Sequence, residues 1–262
     1  MKQVLYLSLL LLLLVSGCGV LPVAAPATVT ATTAPSNTPE PTVTPLPTDT
    51  PTPMPTSTPN QTATVQAAGT EISSSILKEL EQLLGDTDIP YQDGYLAWQQ
   101  EDPLEVKLSG PDGKYVDLNG DLSASNFILK SEITWEASGI IVCGVMFRSE
   151  PNLEKGKQYQ FMYLRLSGLP AWEIDVFEFG RFKNSPSKTQ YSDAIDQGSG
   201  ATNEVVLVAQ DEQFNVYING ARQGRYFDYS KQRQDGFFAF TGFQDSGKGS
   251  CSYENSWIWM LK

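Results

Sequence analysis

The sequence has no histidine, and that one absence closes several chemistries. A Ser-His-Asp triad, a Cys-His dyad, a His-ligated zinc and a haem on a histidine axial ligand are all excluded. Cysteine is scarce as well: three residues cannot complete an all-cysteine zinc or iron–sulfur site. Basic charge is short, with 18 Lys and Arg against 30 Asp and Glu and a net charge of −12. Affinity for nucleic acid comes from cations that neutralise phosphates, so no nucleic-acid partner is expected. The apolar run from Val4 to Val15 is too short for a membrane span, about 12 residues where a helix needs roughly 20.

That run follows Lys2 and ends in Val15-Ser16-Gly17-Cys18. A cation, a short apolar core and small residues are the parts of a secretory signal. The end resembles the lipobox of bacterial lipoproteins, in which the cysteine becomes the lipidated first residue of the mature chain. The resemblance implies a signal peptide over 1–17, a lipid anchor on Cys18 and export to the disulfide-permissive side of a membrane. Without it, the segment is an ordinary signal peptide with an incidental cysteine. The implied location is the bacterial cell membrane or envelope, with the rest of the chain facing outside.

Residues 18–70 read as a linker. Eleven of the 17 prolines fall between Pro22 and Pro59, mostly in Thr-Pro and Pro-Thr steps. Each proline fixes φ and removes a donor, so neither a helix nor a sheet runs through them. Few large apolar residues remain to offset ordering entropy, and the tract is expected to be disordered, with polyproline-II character. It is either an O-glycosylated stalk or an unmodified tether. Within 71–86, apolar residues at 72, 76, 77, 80, 83 and 84 predict a short helix that Gly85 ends.

Residues 87–262 read as a single β domain. Phe127 to Ala137 alternates strictly, with Phe127, Leu129, Ile133 and Trp135 on one face and Lys130, Glu132 and Glu136 on the other. In the next strand Ile141, Cys143, Val145 and Phe147 share a face. A tight loop at 137–139 would pair Trp135 with Ile141 and Ile133 with Cys143. Val205, Leu207 and Ala209 point inward, as do Phe214, Val216 and Ile218. Asn219-Gly220 predicts a type I′ hairpin. In the last strand Cys251, Tyr253, Trp257, Trp259 and Leu261 are expected on one face. Cys143 and Cys251 both fall on core faces and are the pair left once Cys18 is lipidated, so a disulfide is expected between them. Two reduced, buried thiols are the alternative.

The stretches NFILKSEITWEASG, CGVMFR, KQYQFMYLRLSG and above all FNVYINGAR, with the closing GFFAFTGFQDSG and CSYENSWIWML, resemble the concanavalin A-like jelly roll of legume lectins and laminin-G modules. The resemblance also reaches bacterial modules grouped near disaccharide-hydrolase domains. It implies an all-β jelly-roll sandwich preceded by the signal, linker and helix. Family members commonly bind glycans on one sheet face, and some hydrolyse them. Calcium occurs in this fold, but no Asp/Asn-rich loop here has ligand spacing, so no metal or other cofactor is expected.

Two arrangements could carry a function. The first is a row of aromatic platforms. Tyr159, Phe161, Tyr163 and Arg165 share one face of their strand, and Met162, Leu164 and Leu166 the other. With the aliphatic face taken as core, the aromatic row faces out, joined by Arg148, Trp172 and Trp98, and offers rings and donors to sugars; the alternative is that the tyrosines fill the sandwich and Arg148 pairs with a neighbouring acid. The second is Glu173-Ile174-Asp175-Val176-Phe177-Glu178, which looks like the Glu-x-Asp-x-x-Glu catalytic strand of laminarinase-type glycoside hydrolases. There Glu173 would be the nucleophile and Glu178 the acid/base, brought to one face by a one-residue bulge. The expectation is a surface module that binds a glycan or other envelope ligand without catalysis. The alternatives are a β-glycan hydrolase on Glu173, Asp175 and Glu178, and an envelope protein-interaction domain.

Overall fold

The structure, a computed structural model, describes residues 61–262 apart from 119, 138, 167 and 168. The expected signal peptide, the lipidated Cys18 and the Thr/Pro linker up to residue 60 lie outside the described residues. Among the described residues one α-helix, α1 (Gln61–Leu84), and a single 3-10 turn at Tyr91–Asp93 precede fifteen strands. The α-helix begins ten residues before the expected start, because the last proline of the Thr/Pro tract is Pro59 and the intervening Gln61–Thr70 segment contains the helix formers Ala63, Gln66, Ala67 and Ala68.

The strands are β1 (Tyr95–Gln99), β2 (Leu104–Ser109), β3 (Asp112–Asp117), β4 (Ser123–Ala124), β5 (Phe127–Ala137), β6 (Ile141–Ser149), β7 (Gln158–Leu166), β8 (Leu169–Glu178), β9 (Arg181–Asn184), β10 (Gln190–Tyr191), β11 (Thr202–Gln210), β12 (Gln213–Ile218), β13 (Ala221–Phe227), β14 (Gly236–Gln244) and β15 (Lys248–Met260). They form two antiparallel sheets. A seven-stranded sheet runs β1-β15-β5-β11-β12-β13, with β2 also on β15. An eight-stranded sheet runs β10-β8-β7-β6-β14-β3, with β4 on β14 and β9 on β8. The fold is an all-β sandwich of two stacked sheets, as the alternation in the sequence implies, and it agrees with the jelly roll that the resemblance implies.

The inward faces supply one core. Phe127, Leu129, Ile133 and Trp135 of β5 meet Ile141, Cys143, Val145 and Phe147 of β6 across the sandwich. The expected β5–β6 hairpin is therefore not formed. β5 pairs with β15 and β11, and β6 pairs with β7 and β14. Both strands carry a full apolar face, and opposing the two faces buries both at once, whereas a hairpin would lay them side by side. Trp135 pairs instead with Cys251. Cys143 and Cys251 are joined by a disulfide that ties the two sheets together, with Cα atoms 5.7 Å apart. The Asn219-Gly220 turn takes positive φ at both residues (50° and 74°), as a type I′ hairpin requires.

The last strand departs from its expected pattern. Asn255 adopts φ 50°, and the β15–β5 register shifts between Glu254 and Trp257. This bulge reverses the alternation. Cys251, Tyr253, Ile258 and Met260 face the core, while Trp257, Trp259 and Leu261 face the other way. There they stay dry, because α1 covers them. Ile76, Leu80 and Leu84 of the helix pack with Ile128, Val206, Val208, Tyr217, Trp257 and Trp259 on the outer face of the seven-stranded sheet. Lys130 rises from that face to ion-pair with Glu79 of the helix and Glu204 of β11. Leu80→Ala should cost about 3 kcal/mol, the usual price of emptying a buried leucine site, and chemical denaturation checks it. A cost below 1 kcal/mol would mean that the helix does not seal this face.

Candidate functional site

With α1 on one sheet, the face that carries no helix is the outer face of the eight-stranded sheet, whose side chains are buried over much of its middle and exposed at its two ends. Its composition follows from register. Trp172, Ile174 and Val176 of β8 point into the core, so Ala171, Glu173, Asp175 and Phe177 point out. Across the pairings the outward residues fall into rows. One row is Phe243, Val142, Leu164, Ala171 and Tyr191, on β14, β6, β7, β8 and β10 in turn. The next is Thr241, Gly144, Met162 and Glu173, and the next Ala239, Met146, Gln160 and Asp175.

The first row is an apolar stripe. Val142, Leu164 and Ala171 form a small buried cluster with Met162 against it. Phe243 and Tyr191, 43% and 64% exposed, stand at its two ends. Four strand spacings of about 4.8 Å put those ends roughly 19 Å apart. Gly144 sits mid-face, where a Cβ would lie 2.2 Å from the carbonyl oxygen of Phe161, so no larger residue fits without moving β7.

Beside the stripe lies a polar patch. Glu173 and Asp175 are two residues apart on one strand and share a face. Thr189 Oγ1 donates to Glu173 Oε2 at 2.8 Å. Ser185 and Ser187 bond the backbone of Ile174, which fixes the segment that follows β9 along the edge of β8. Asp175 is buried, and burial is the main cause that raises its carboxyl to about 7. A hydrogen bond from Ser185 opposes that rise, and the adjacent Glu173 carboxyl adds to it. Gln160 is its cross-strand partner on β7. The loop from β6 to β7 returns along the same face, where Gln158 Nε2 donates to the carbonyl of Leu153. A groove of about 590 Å³ opens between that loop and β3, lined by Leu153, Glu154 and Tyr115. Among the described residues no group of three or more Asp, Glu or Cys is gathered to hold a metal ion.

The expected aromatic row is elsewhere. Tyr159, Phe161 and Tyr163 are buried in the core. Trp135 stacks on Tyr163 at 4.0 Å and Phe147 on Tyr159 at 5.3 Å. Their hydroxyls find partners inside: Tyr159 donates to Asp228, and Asn203 donates to Tyr163. The aliphatic face of β7 is thus the outward one. Trp172 is also fully buried, edge-on to Tyr226 at 5.2 Å. Arg148 takes φ 48° at the bulge where β14 passes Phe237, and this turns it inward. Its guanidinium lies 5.4 Å from the Phe214 ring centre and donates to the carbonyl of Ser125. Arg165 reaches the carbonyl of Ala137 at the end of the sandwich. Trp98 packs edge-on to Phe240 and lines a separate groove with Asp102 and Asp117. None of the seven residues stands on the open face.

The carboxylate strand is half as expected. Glu173 and Asp175 converge, but Glu178 does not join them. The β7–β8 register is regular through Phe177, so Glu178 falls on the opposite face from Glu173. The bulge lies on β9 instead, at Lys183 between Phe182 and Asn184. Lys183 then pairs with Glu178 at 2.8 Å and holds that carboxyl below the usual carboxylate range. The two-glutamate geometry of a retaining glycosidase is not built here.

Gln160, Tyr191 and Phe243 were not singled out in the sequence. The Gln158-Tyr159-Gln160-Phe161 alternation does carry the signal for the first, since it puts amides out and rings in. Tyr191 and Phe243 lie in short or terminal strand segments, whose face only the pairing defines.

No protein-family model matches the sequence, and no curated protein matches it. Solved structures do resemble it in backbone. The carbohydrate binding module CBM66 from Bacillus subtilis aligns at 16% identity and TM-score 0.43, over 59% of this chain and 94% of its own. The Bacillus licheniformis beta-glucanase aligns at 8% and 0.42, over 63% and 82%. Sheep galectin-11 aligns at 12% and 0.36, over 52% and 92%.

Proposed function

We propose that this chain is an exported, non-catalytic module that binds a glycan across the outer face of its eight-stranded sheet. The observation that carries the reading is the pairing, on that outer face, of an apolar stripe with exposed ends at Tyr191 and Phe243 and a polar patch of Glu173, Asp175 and Gln160. Sugar rings offer apolar C–H faces to the first and hydroxyls to the second. The disulfide supports an oxidising compartment. In this reading Cys18 carries the lipid anchor, and the Thr/Pro tract spaces the domain from the membrane.

A glycan array, read with the wild type and with Tyr191→Ala and Phe243→Ala, tests it. Both side chains are substantially exposed, so the melting temperature should hold within 2–3 °C. Each truncation should weaken binding about tenfold, the scale of losing one well-placed aromatic contact. A blank array together with specific capture of an envelope protein would replace the glycan with a protein ligand. Release of reducing sugar that depends on Glu173 would overturn the non-catalytic assignment.

A further inference from the structure

Two buried polar atoms on the outer face of the eight-stranded sheet have no partner. Gln160 Nε2 and Asp175 Oδ1 make no hydrogen bond, and their residues are only 4% and 3% exposed. They belong to directly opposed residues on β7 and β8. An orphaned donor or acceptor costs about 1–3 kcal/mol, so two together in one place need a reason. One is a donor and the other an acceptor.

We infer that Gln160 and Asp175, with Glu173 beside them, form a hydroxyl-recognition subsite that takes neutral sugar units and refuses uronate or sulfate-bearing ones. The inference rests on the glycan reading and adds the class of sugar. The argument is one of matching valences. A hydroxyl accepts from the Gln160 amide and donates to the Asp175 carboxyl, which satisfies both orphans at once. An anion satisfies the amide but brings no proton for Asp175 Oδ1, and it meets the neighbouring Glu173 carboxylate. An ammonium group or a metal ion satisfies the carboxyl alone and leaves the amide stranded. Met162 and Glu173, the half-buried pair one step along the face, are the side chains whose movement admits the ligand.

The subsite also predicts an unusual pairing of stability and binding. Gln160→Met keeps most of the side-chain volume and removes the orphaned donor. A residue retained for folding would lose stability on this change. A residue retained for a ligand would leave stability unchanged or higher. The experiment titrates the wild type, Gln160→Met and Gln160→Leu against an array of neutral, uronate and sulfated oligosaccharides, with melting temperatures alongside. The expected result is binding of neutral members only, weakened tenfold or more by either substitution, at an equal or raised melting temperature. Three results would overturn the subsite: uronate or sulfated members bound as tightly as neutral ones, Gln160→Met binding as wild type, or both variants melting well below it. An array that responds to Tyr191→Ala but not to Gln160→Met removes the subsite and leaves the glycan reading standing. An array blank for the wild type removes both.

Discussion

Replacing Cys143 and Cys251 together by alanine should lower the unfolding free energy by as much as about 4.7 kcal/mol, the chain-entropy figure for a closed loop of around 100 residues. The bridge spans 108 positions and joins β6 of one sheet to β15 of the other. It therefore encloses the strands β7 to β14, most of the eight-stranded sheet, within one covalent loop. Urea denaturation of the double variant, and of the wild type under reducing agent, checks the value through the extrapolated unfolding free energy, with a steeper slope expected because the unbridged denatured chain exposes more surface. A loss under 1 kcal/mol would show that the denatured chain is already held compact without the bridge. A stability ledger this dependent on oxidation fits a domain that works outside the reducing cytosol.

The sequence carried some of this and hid the rest for identifiable reasons. The inward residues of β5, β11 and β12 were named correctly by their alternation, although the other face of these strands also carries apolar residues, Ile128, Val206, Val208 and Tyr217, which α1 covers. The cysteine pair was legible because each residue fell within such a pattern. β7 was misread because both its faces carry apolar residues. One lines the sandwich and the other makes the outward stripe of Met162 and Leu164, so side-chain polarity alone does not say which is inside. The same ambiguity arose in β15, where the bulge at Asn255 moves Trp257 and Trp259 from the expected core to the surface that α1 covers. The hairpin expected at 137–139 failed because a short loop also serves an arch between two sheets. The open face is assembled from β14, β6, β7, β8 and β10, and only the strand order brings Phe243 and Tyr191 into one row. Glu173 and Asp175 were found as a local motif. Gln160 needed the β7–β8 register to become their partner.

That partnership makes the pH response of stability a direct probe of the site. Asp175 has its carboxyl raised from 3.8 to about 7, first by burial and then by Glu173, against the hydrogen bond from Ser185. The charged group that faces it on its own strand is Glu173, and β7 opposite offers the uncharged Gln160. A raised acid binds its proton more tightly folded than unfolded. The stability it contributes is then fully present below about pH 4 and is lost as pH climbs through the folded value near 7. The loss is as much as about 4 kcal/mol, at roughly 1.36 kcal/mol per pH step across that window. Acid therefore favours this site, opposite to the ordinary carboxylate whose ionised form the fold stabilises. Asp175→Asn is isosteric and fixes the uncharged state. It should flatten the decline between pH 4 and 7 and leave the variant more stable than the wild type at pH 8. Urea unfolding of both proteins at half-unit steps from pH 4 to pH 9 measures the difference directly. Parallel curves would mean that Asp175 is ionised throughout, with its charge met by a partner in solution. Glu173→Gln removes the adjacent charge and should move the midpoint of the decline downward, towards the value that burial alone sets.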